Sequence, residues 1–228
     1  MREMGQKDAA TRKEIAILLL LTFVTGLVDA ASFLGLGHVF TANMTGNVVF
    51  LGFAAGGATG ISAWRSIAAI AAFLCGAIVG GRWAARMSGG SRDRWLGSAA
   101  GCEAILMLVA AAVASRFDGS LPEFPVYAVI VLTAVAMGLR NATVRSLGVA
   151  DMTTTVLTLT LAGLASESSL AGAGNPRIGR RIGSMALMFA GASAGAVLLR
   201  WGLTATLAAG GLVSAGAATA AIWAGRQR

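Results

Sequence analysis

The residues that most enzymes need for catalysis are scarce in this chain of 228 residues, which has 1 histidine, 2 cysteines and 3 prolines. A single histidine leaves little general acid–base capacity. Cys75 and Cys102 lie in apolar runs with no Cys-x-x-Cys or Cys/His spacing, which favours a packing role over a disulfide or a metal site. The serine-hydrolase, zinc-protease and phosphate-binding-loop motifs are also missing from the sequence. We therefore predict no enzyme activity, no metal and no cofactor.

Charged residues are scarce too, because they make up 12% of the chain, about half the ~25% that is typical of a soluble domain. Hydrophobic residues reach 56%, and Gly accounts for 31 positions. Apolar stretches rich in small residues allow helices to pack closely inside lipid. The composition argues against a soluble enzyme, a disordered chain and a disulfide scaffold, and it predicts an all-α, polytopic helical membrane protein.

The formal net charge of +8 does not indicate nucleic-acid binding. Of the 18 basic residues 16 are Arg, and they form short clusters between apolar runs instead of one basic face. Clusters of this kind mark the cytoplasmic loops of membrane proteins. We expect the lipid bilayer, and no nucleic acid, as a partner.

Six apolar runs are long enough to cross the ~30 Å hydrocarbon core, which takes roughly 17–25 helical residues. They are Ile15–Gly37, Ile61–Trp83, Trp95–Ser115, Phe124–Val144, Ile178–Leu199 and Leu203–Ala224. Two further segments, Phe40–Gly57 and Met152–Glu167, are shorter and more polar. Whether these two segments cross the membrane decides the topology.

The distribution of Lys and Arg discriminates between the topologies. If both short segments cross, 11 basic residues lie on the cytoplasmic side and 7 outside, whereas the division is 15 to 3 if neither crosses. Since cytoplasmic loops carry the excess of basic residues, we predict six spanning helices plus two re-entrant segments, with both termini in the cytoplasm. The resulting divisions are a cytoplasmic segment 1–14, a first membrane repeat 15–115, an external loop 116–123 and a second repeat 124–228 with a short cytoplasmic C-terminus.

The second half of the sequence echoes the first at a nearly constant offset. The matching stretches are 26–30 with 138–142 (offset 112), 41–45 with 154–158 (offset 113), and Gly76-x-x-x-Gly80 with Gly191-x-x-x-Gly195 (offset 115). Three full crossings in each half would turn the second copy upside down, which predicts a 3+3 inverted repeat. In many transporters such repeats, with interrupted helices, place a polar site near the bilayer midplane.

The stretch from Gly26 to Asn47 contains Gly-x-x-Asp-Ala and Phe-Thr-Ala-Asn-Met-Thr-Gly-Asn, and it resembles the YoaK-like family of bacterial membrane proteins. The family pattern continues with Gly-Leu-Arg-Asn-Ala, present at 138–142, and with a Thr-rich segment, present at 153–158. The resemblance covers most of the chain and implies an integral inner-membrane protein of a bacterium. That family is known chiefly as a domain of unknown function, so the resemblance implies no substrate.

Polar residues of the two re-entrant segments are candidates for lining a solute site. They are Asn43, Thr45, Gly46 and Asn47 in the first segment, and Thr154, Thr155 and Thr158 in the second. Amides and hydroxyls coordinate a solute or cap a short helix, and Gly46 permits the close approach of another backbone. The alternative is that these side chains only satisfy the backbone of a broken helix.

Ionisable residues inside apolar spans are candidates for ion or proton coupling, because they are costly in lipid and are usually paired, water-facing or functional. Asp29 and Glu103 are each either a coupling group or a buried structural acid. Arg140 either pairs with Asp29 across the repeat or reaches the cytoplasmic surface from the end of its span. Asn141, a further candidate for the substrate site, occupies the place in the second repeat that Asp29 occupies in the first.

Together these features predict a small secondary transporter or channel-like permease for a small-molecule or ion solute. The alternative is a non-transporting membrane scaffold or sensor in which the re-entrant motifs serve packing only. Half-helix N-termini and Arg140 favour an anion, whereas Asp29 favours a cation or a proton, so the sequence leaves the substrate open. Glycine-rich helix faces permit a homodimer without requiring one.

Overall fold

The structure is a computed structural model, and it describes residues 12–87, 90–116, 123–149, 157–175 and 177–226. Within these ranges the chain forms helices and turns, with no β-strand. The α-helices are α1 (Arg12–Gly35), α2 (Met44–Ala55), α3 (Ala63–Met87), α4 (Arg92–Ala114), α5 (Glu123–Leu147), α6 (Leu157–Ser166), α7 (Ile178–Leu198) and α8 (Leu203–Arg226). The prediction of an all-α membrane protein with six long helices and two short segments is confirmed.

Length separates the six long helices from the two short ones. The shortest long helix, α7, has 21 residues and continues into the 3₁₀ turn Leu199–Trp201. At 1.5 Å per residue, 21 residues span about 32 Å, enough for the hydrocarbon core. Helix α2 has 12 residues and α6 has 10, which gives them roughly 18 and 15 Å, about half that thickness. Over its described length, neither short helix spans the whole core.

Burial distinguishes central helices from peripheral ones. In the most apolar stretch of each helix, 67% of the residues of α1 and 61% of those of α5 are buried, but only 28% for α3 and 17% for α7. The outer faces of α3 and α7 expose large apolar side chains such as Leu74, Ile78 and Phe189. Lipid tails are as apolar as these side chains, so the exposed faces fit a bilayer.

The tightest helix pairs are α1 with α7, α3 with α5, and α4 with α8. Gly191 of α7 lies against Phe23 of α1, and Gly195 lies against Leu27 four residues further on, so α1 and α7 run in the same direction. The corresponding contacts between α3 and α5 are Gly76 with Val135 and Gly80 with Leu139. Helices α3 and α5 are therefore also parallel.

Helices α4 and α8 run in opposite directions. Gly97 near the start of α4 lies against Ala218 near the end of α8, and Gly211 of α8 lies against Ala104 of α4. A Cβ atom at Gly97 would lie 3.1 Å from the Ala218 carbonyl oxygen, and one at Gly211 would lie 3.3 Å from the Ala104 carbonyl oxygen. Gly97 and Gly211 thus make matching contacts at an offset of 114, between the offsets of the sequence matches.

The apolar core of the bundle is interrupted by one polar layer. On one side of this layer lie the buried side chains of Leu21, Ala100 and Ala217, and on the other those of Val28 and Met107. Helices α1, α4, α5 and α8 each contribute a polar side chain to the layer between them. This layer, and not the ends of the bundle, holds the charged groups that the sequence singles out.

A buried charged centre as the candidate functional site

Arg140 of α5 lies inside the bundle with only 1% of its surface exposed. Its Nη1 donates to the backbone oxygen of Leu21 at 2.8 Å and to Oε1 of Glu103 at 3.0 Å. Its Nη2 donates to Oγ1 of Thr25 at 2.5 Å. The planar guanidinium can serve several acceptors at once, which a lysine could not do with the same geometry. The expectation that Arg140 reaches the cytoplasmic surface is therefore wrong.

Glu103 of α4 is the ion-pair partner of Arg140 and is 0% exposed. Its Oε1 also accepts a hydrogen bond from the Ser214 hydroxyl of α8 at 2.9 Å. We call Thr25, Asp29, Glu103, Arg140 and Ser214 the charged centre. These residues come from α1, α4, α5 and α8, so the centre joins the two halves of the chain.

Several polar atoms of the charged centre have no hydrogen-bond partner among the described residues. They are Oε2 of Glu103, Nε of Arg140 and Oδ1 of Asp29, and each is buried. An unpaired buried polar group costs roughly 1–3 kcal/mol, and more when it is charged. The hydrogen bonds and the ion pair of the charged centre therefore leave these three buried polar atoms without a partner among the described residues.

Asp29 lies one turn beyond Thr25 on α1, and the residue is half-buried. The Arg140 guanidinium attracts its carboxylate electrostatically, but the ion pair of Arg140 is with Glu103. The alternative that pairs Asp29 directly with Arg140 across the repeat is thus not what the structure holds. The structure does bring the three predicted coupling residues into one neighbourhood.

The amides of the first short segment bind backbone. Asn47 is fully buried, and its Oδ1 accepts from the Phe40 N–H at 2.9 Å while its Nδ2 donates to the Phe40 carbonyl at 2.6 Å. Asn43 caps α2 by accepting from the Gly46 N–H at 3.4 Å. Thr45 is exposed. These contacts correspond to the structural alternative for Asn43 and Asn47, and a solute-lining role for them stays a prediction.

Gly46 meets an aromatic ring instead of another backbone. A Cβ atom at this position would lie 2.7 Å from Cδ2 of Phe40. The Phe40 ring stacks on Phe33 with its centroid 5.1 Å away, and on Phe50 at 5.7 Å. The break between α1 and α2 is thus held by an aromatic cluster and the two asparagines.

The second short segment is only partly described. Thr154 and Thr155 lie outside the described residues, Thr158 is exposed, and Asn141 is half-buried on α5. Helix α2 packs on α3 and α6 packs on α7, and the two short helices make no extended contact with each other in the described ranges. The structure therefore does not gather the described candidates of α2 and α6 into one site, as the sequence-based hypothesis required.

Sequence reasoning missed three polar residues with defined roles. Thr25 and Ser214 complete the charged centre, and their hydroxyl side chains give no signal in an apolar helix, where hydroxyls commonly bond their own backbone. Arg181, which is 3% exposed, donates to the Gly163 carbonyl at 2.6 Å and to Oε2 of Glu167 at 2.9 Å, and so binds the last turn of α6. A basic residue at a helix C-terminus is favourable, and the sequence pattern alone did not show which helix it served.

Comparison with known proteins gives a family and a relative. The family model described as "Protein of unknown function (DUF1275)" matches residues 17–220. The chain is 36% identical over 161 residues to UPF0700 transmembrane protein YoaK of Bacillus subtilis (strain 168), in a match that covers 71% of this chain and 69% of that protein. No solved structure matches the chain. The resemblance to YoaK-like proteins is therefore confirmed, and with it the membrane class.

Proposed function

The chain belongs to the DUF1275 family of proteins of unknown function, and we propose that it is a small secondary transporter or channel-like permease for a small solute or ion. The solute path in this proposal passes the charged centre, and no enzymatic reaction is assigned to the chain. The observation that carries the proposal is the buried Arg140–Glu103 ion pair with the Asp29 carboxylate beside it.

The energetic cost of the charged centre supports a functional role. On insertion scales a single Asp or Arg at the middle of a spanning helix costs about 2.5–3.5 kcal/mol. Replacing a buried ion pair by well-packed apolar residues is often neutral or stabilising, so packing alone does not require such a pair. Charged groups that face the interior of a membrane bundle commonly mark ion or proton pathways.

The matched glycine contacts support an inverted repeat. Gly26 of α1 lies against Met188 and Ala192 of α7, and its counterpart Gly138 of α5 lies against Phe73 and Ala77 of α3. The same operation exchanges α1 with α5, α3 with α7, and α4 with α8, and it leaves the pattern of tight helix pairs unchanged. Transporters built this way alternate access by moving one repeat against the other.

Helix directions support the crossing pattern that such a repeat needs. If the six long helices all cross, the parallel pair α1 and α7 and the antiparallel pair α4 and α8 agree only when neither α2 nor α6 crosses. A crossing α6 would make α4 and α8 parallel, and a crossing α2 alone would make α1 and α7 antiparallel. Six crossings then place both termini on one side, and the two halves are inverted.

The proposed orientation has both termini in the cytoplasm of a bacterium, with the protein in the inner membrane. Arg82 and Arg86 end α3, and Arg92 and Arg94 begin α4, so four arginines flank one connection. In this orientation the connection lies on the cytoplasmic side, as the excess of basic residues in cytoplasmic loops favours.

A homodimer is also proposed, but not through the glycines of the tight helix pairs. Gly76, Gly80, Gly191 and Gly195 are buried and lie against backbone of the same chain. Gly81 and Gly216, in contrast, face open space. A dimer that uses small residues would have to pack through the helix faces that carry such exposed glycines.

The second candidate function is a membrane scaffold or sensor. The observation that favours it is the use of Asn43 and Asn47 to hold the break before α2, since both polar atoms of the Asn47 amide and the Oδ1 of Asn43 bind backbone. In that case Asp29→Asn and Asn43→Ala would impair folding or assembly and alter no flux.

Reconstitution distinguishes the two candidates. Purified protein in proteoliposomes is assayed for uptake of a broad panel of small solutes, with and without a pH gradient. We expect uptake of at least one solute class by the wild type and loss of that uptake in Asp29→Asn. Glu123→Gln, which removes an exposed carboxylate at the start of α5, is the control and should keep wild-type uptake.

Each variant is first checked for folding by helix content and by monodispersity in detergent. Uptake that is absent across the whole panel would refute transport and favour the scaffold or sensor. If folded Asp29→Asn takes up the solute at the wild-type rate, the flux does not depend on the Asp29 carboxylate of the charged centre.

A further inference from the structure

The charges of the centre do not balance. Two carboxylates, Asp29 and Glu103, face a single guanidinium, Arg140. Glu103 takes the ion pair and accepts from Ser214 as well, so its charge is compensated in place. One negative charge is therefore left over, and it belongs to Asp29.

No other charged side chain of the packed helices compensates Asp29. Helices α7 and α8 both pack against α1, and their charged residues lie near their ends, at Arg180, Arg181 and Arg226, while Arg200 lies in the 3₁₀ turn that continues α7 and is exposed. Arg65 of α3 donates to the Leu36 carbonyl, two turns beyond Asp29. An uncompensated carboxylate inside a membrane bundle is strongly disfavoured, so a positive species must neutralise it.

We propose that Asp29 carries one exchangeable proton while Glu103 and Arg140 stay fixed as an ion pair, an inference that rests on the proposed transport function for its use. The proton comes from water on one side of the membrane, forms an O–H bond at the Asp29 carboxylate, and is returned to water on the other side. No electrons and no further reactant are involved.

A proton fits this place better than a metal cation or an anion. A hard cation needs about six oxygen ligands, whereas the centre offers only two buried unpartnered oxygens among the described residues, Oδ1 of Asp29 and Oε2 of Glu103. An anion would meet the surplus negative charge, and the guanidinium is already bound to Leu21, Thr25 and Glu103. A proton needs a single carboxylate oxygen and no cavity.

Exposure also distinguishes the two acids. Asp29 is half-buried as a residue although its Oδ1 is buried, whereas Glu103 is fully enclosed and its Oε1 is held by Arg140 and Ser214. The counterpart of Asp29 in the second half is Asn141, which cannot ionise. The repeat therefore provides one proton site per chain, and Asn at the equivalent place indicates that Asp29→Asn is compatible with this fold.

Infrared pH-difference spectroscopy on the purified full chain in lipid nanodiscs tests the proposal. The chain has 10 Asp and Glu residues, so the wild type should show several protonated-carboxyl bands that appear and disappear with pH, and one of them should belong to Asp29. The Asp29 band should shift in protein labelled with ¹³C at the aspartate side-chain carboxyl, and it should be missing in Asp29→Asn. Asp93→Asn, which removes another buried aspartate near the start of α4, is the matched control and should retain the band.

The conservative variant Asp29→Glu keeps the proposal testable if Asp29→Asn does not fold. It should restore a titrating band that no longer responds to the aspartate label. An Asp29→Asn spectrum with the same set of titrating bands as the wild type would overturn the assignment, and so would a band that is lost in Asp29→Asn but ignores the aspartate label in the wild type. The solute-uptake panel is read separately, so a proton site without flux refutes transport alone, and flux without an Asp29 band refutes the proton site alone.

Discussion

Asparagine side chains at the junction of α1 and α2 replace backbone hydrogen bonds that the interruption of the helix removes. The Phe40 N–H and C=O both bind the side chain of Asn47, which is fully buried. In a membrane such irregular backbone is tolerated only where protein or water satisfies it. At this scale the most polar stretch of the sequence is explained by the hydrogen bonds that its own backbone requires.

We predict that Asn47→Ala lowers the free energy of unfolding by about 1–3 kcal/mol, because it leaves two partly buried backbone groups of Phe40 without their partner. Thr45→Ala, two residues away on the exposed side of α2, is the matched control and should change stability by less than about 0.5 kcal/mol. Reversible unfolding in detergent or bicelles measures both. Equal effects of the two substitutions would contradict the backbone-holding role.

The acids and the arginine of the charged centre were identifiable from sequence because a charge inside an apolar run stands out. Their pairing was not identifiable from the sequence. Glu103 and Arg140 lie 37 residues apart, and the pattern of a nearly uniform apolar helix does not show which of its sides faces which neighbour. The sequence left open whether Arg140 pairs with Asp29 through the repeat or reaches the cytoplasmic surface, whereas in the structure Glu103 of another helix holds the ion pair. Thr25 and Ser214 were identified only by their hydrogen bonds to Arg140 and Glu103 in the structure.

Glycines set the spacing of helices at the scale of the element. At Gly80 a Cβ atom would lie 2.6 Å from the Leu139 carbonyl oxygen, and at Gly195 it would lie 2.9 Å from the Leu27 carbonyl oxygen. Close backbone approach of this kind is the main use of small residues in membrane helices. Gly81, the next residue of α3, faces open space.

We predict that Gly80→Ala and Gly195→Ala each destabilise the protein by about 1–3 kcal/mol, because the added methyl group forces two packed helices apart. Gly81→Ala should be neutral or stabilise α3 by up to about 1 kcal/mol, since Ala is the better helix former. Unfolding of the three variants under one set of conditions gives the comparison. Losses that are the same at Gly80 and Gly81 would contradict the packing role.

Sequence predicted the helical elements well because their length and hydrophobicity are local properties. The two Gly-x-x-x-Gly motifs were correctly recognised as packing motifs, but their partners were not predictable from the pattern. The matched pair Gly97 and Gly211 escaped notice, because single glycines carry little information in a chain with 31 of them. Likewise, the short lengths of the segments that contain α2 and α6 were apparent from the sequence, whereas the separation of the two helices from each other appeared only in the packing.

At the scale of the whole molecule, the topology depends on the direction in which each long helix crosses the membrane. Arginine counts and helix directions are independent arguments, since one uses the loops and the other uses the packed helix faces. Both favour six crossings with α2 and α6 on opposite sides of the membrane. Topology is therefore the property of the whole chain on which the inverted repeat, and the transport proposal built on it, depend.

We predict that single cysteines at Ala58 and Ser91 differ in their labelling from outside intact cells. In a background with Cys75→Ser and Cys102→Ser, Ala58→Cys after α2 should react with a membrane-impermeant thiol reagent, because the proposed topology places it outside. Ala58 is preferred to Gly57, whose φ of 85° disfavours a side chain. Ser91→Cys and Ser169→Cys should react only after the cells are opened, because the proposed topology places both in the cytoplasm. All three positions are at least partly exposed.

Each alternative topology gives its own pattern in this experiment. A crossing α2 would protect Ala58→Cys and expose Ser91→Cys, and a crossing α6 would leave those two unchanged but expose Ser169→Cys. Either pattern would make the helix directions between the halves inconsistent with the parallel pair α1–α7 or the antiparallel pair α4–α8. The inverted repeat would then be refuted. The charged centre depends only on contacts within the bundle, so the uncompensated charge of Asp29 would still need an explanation.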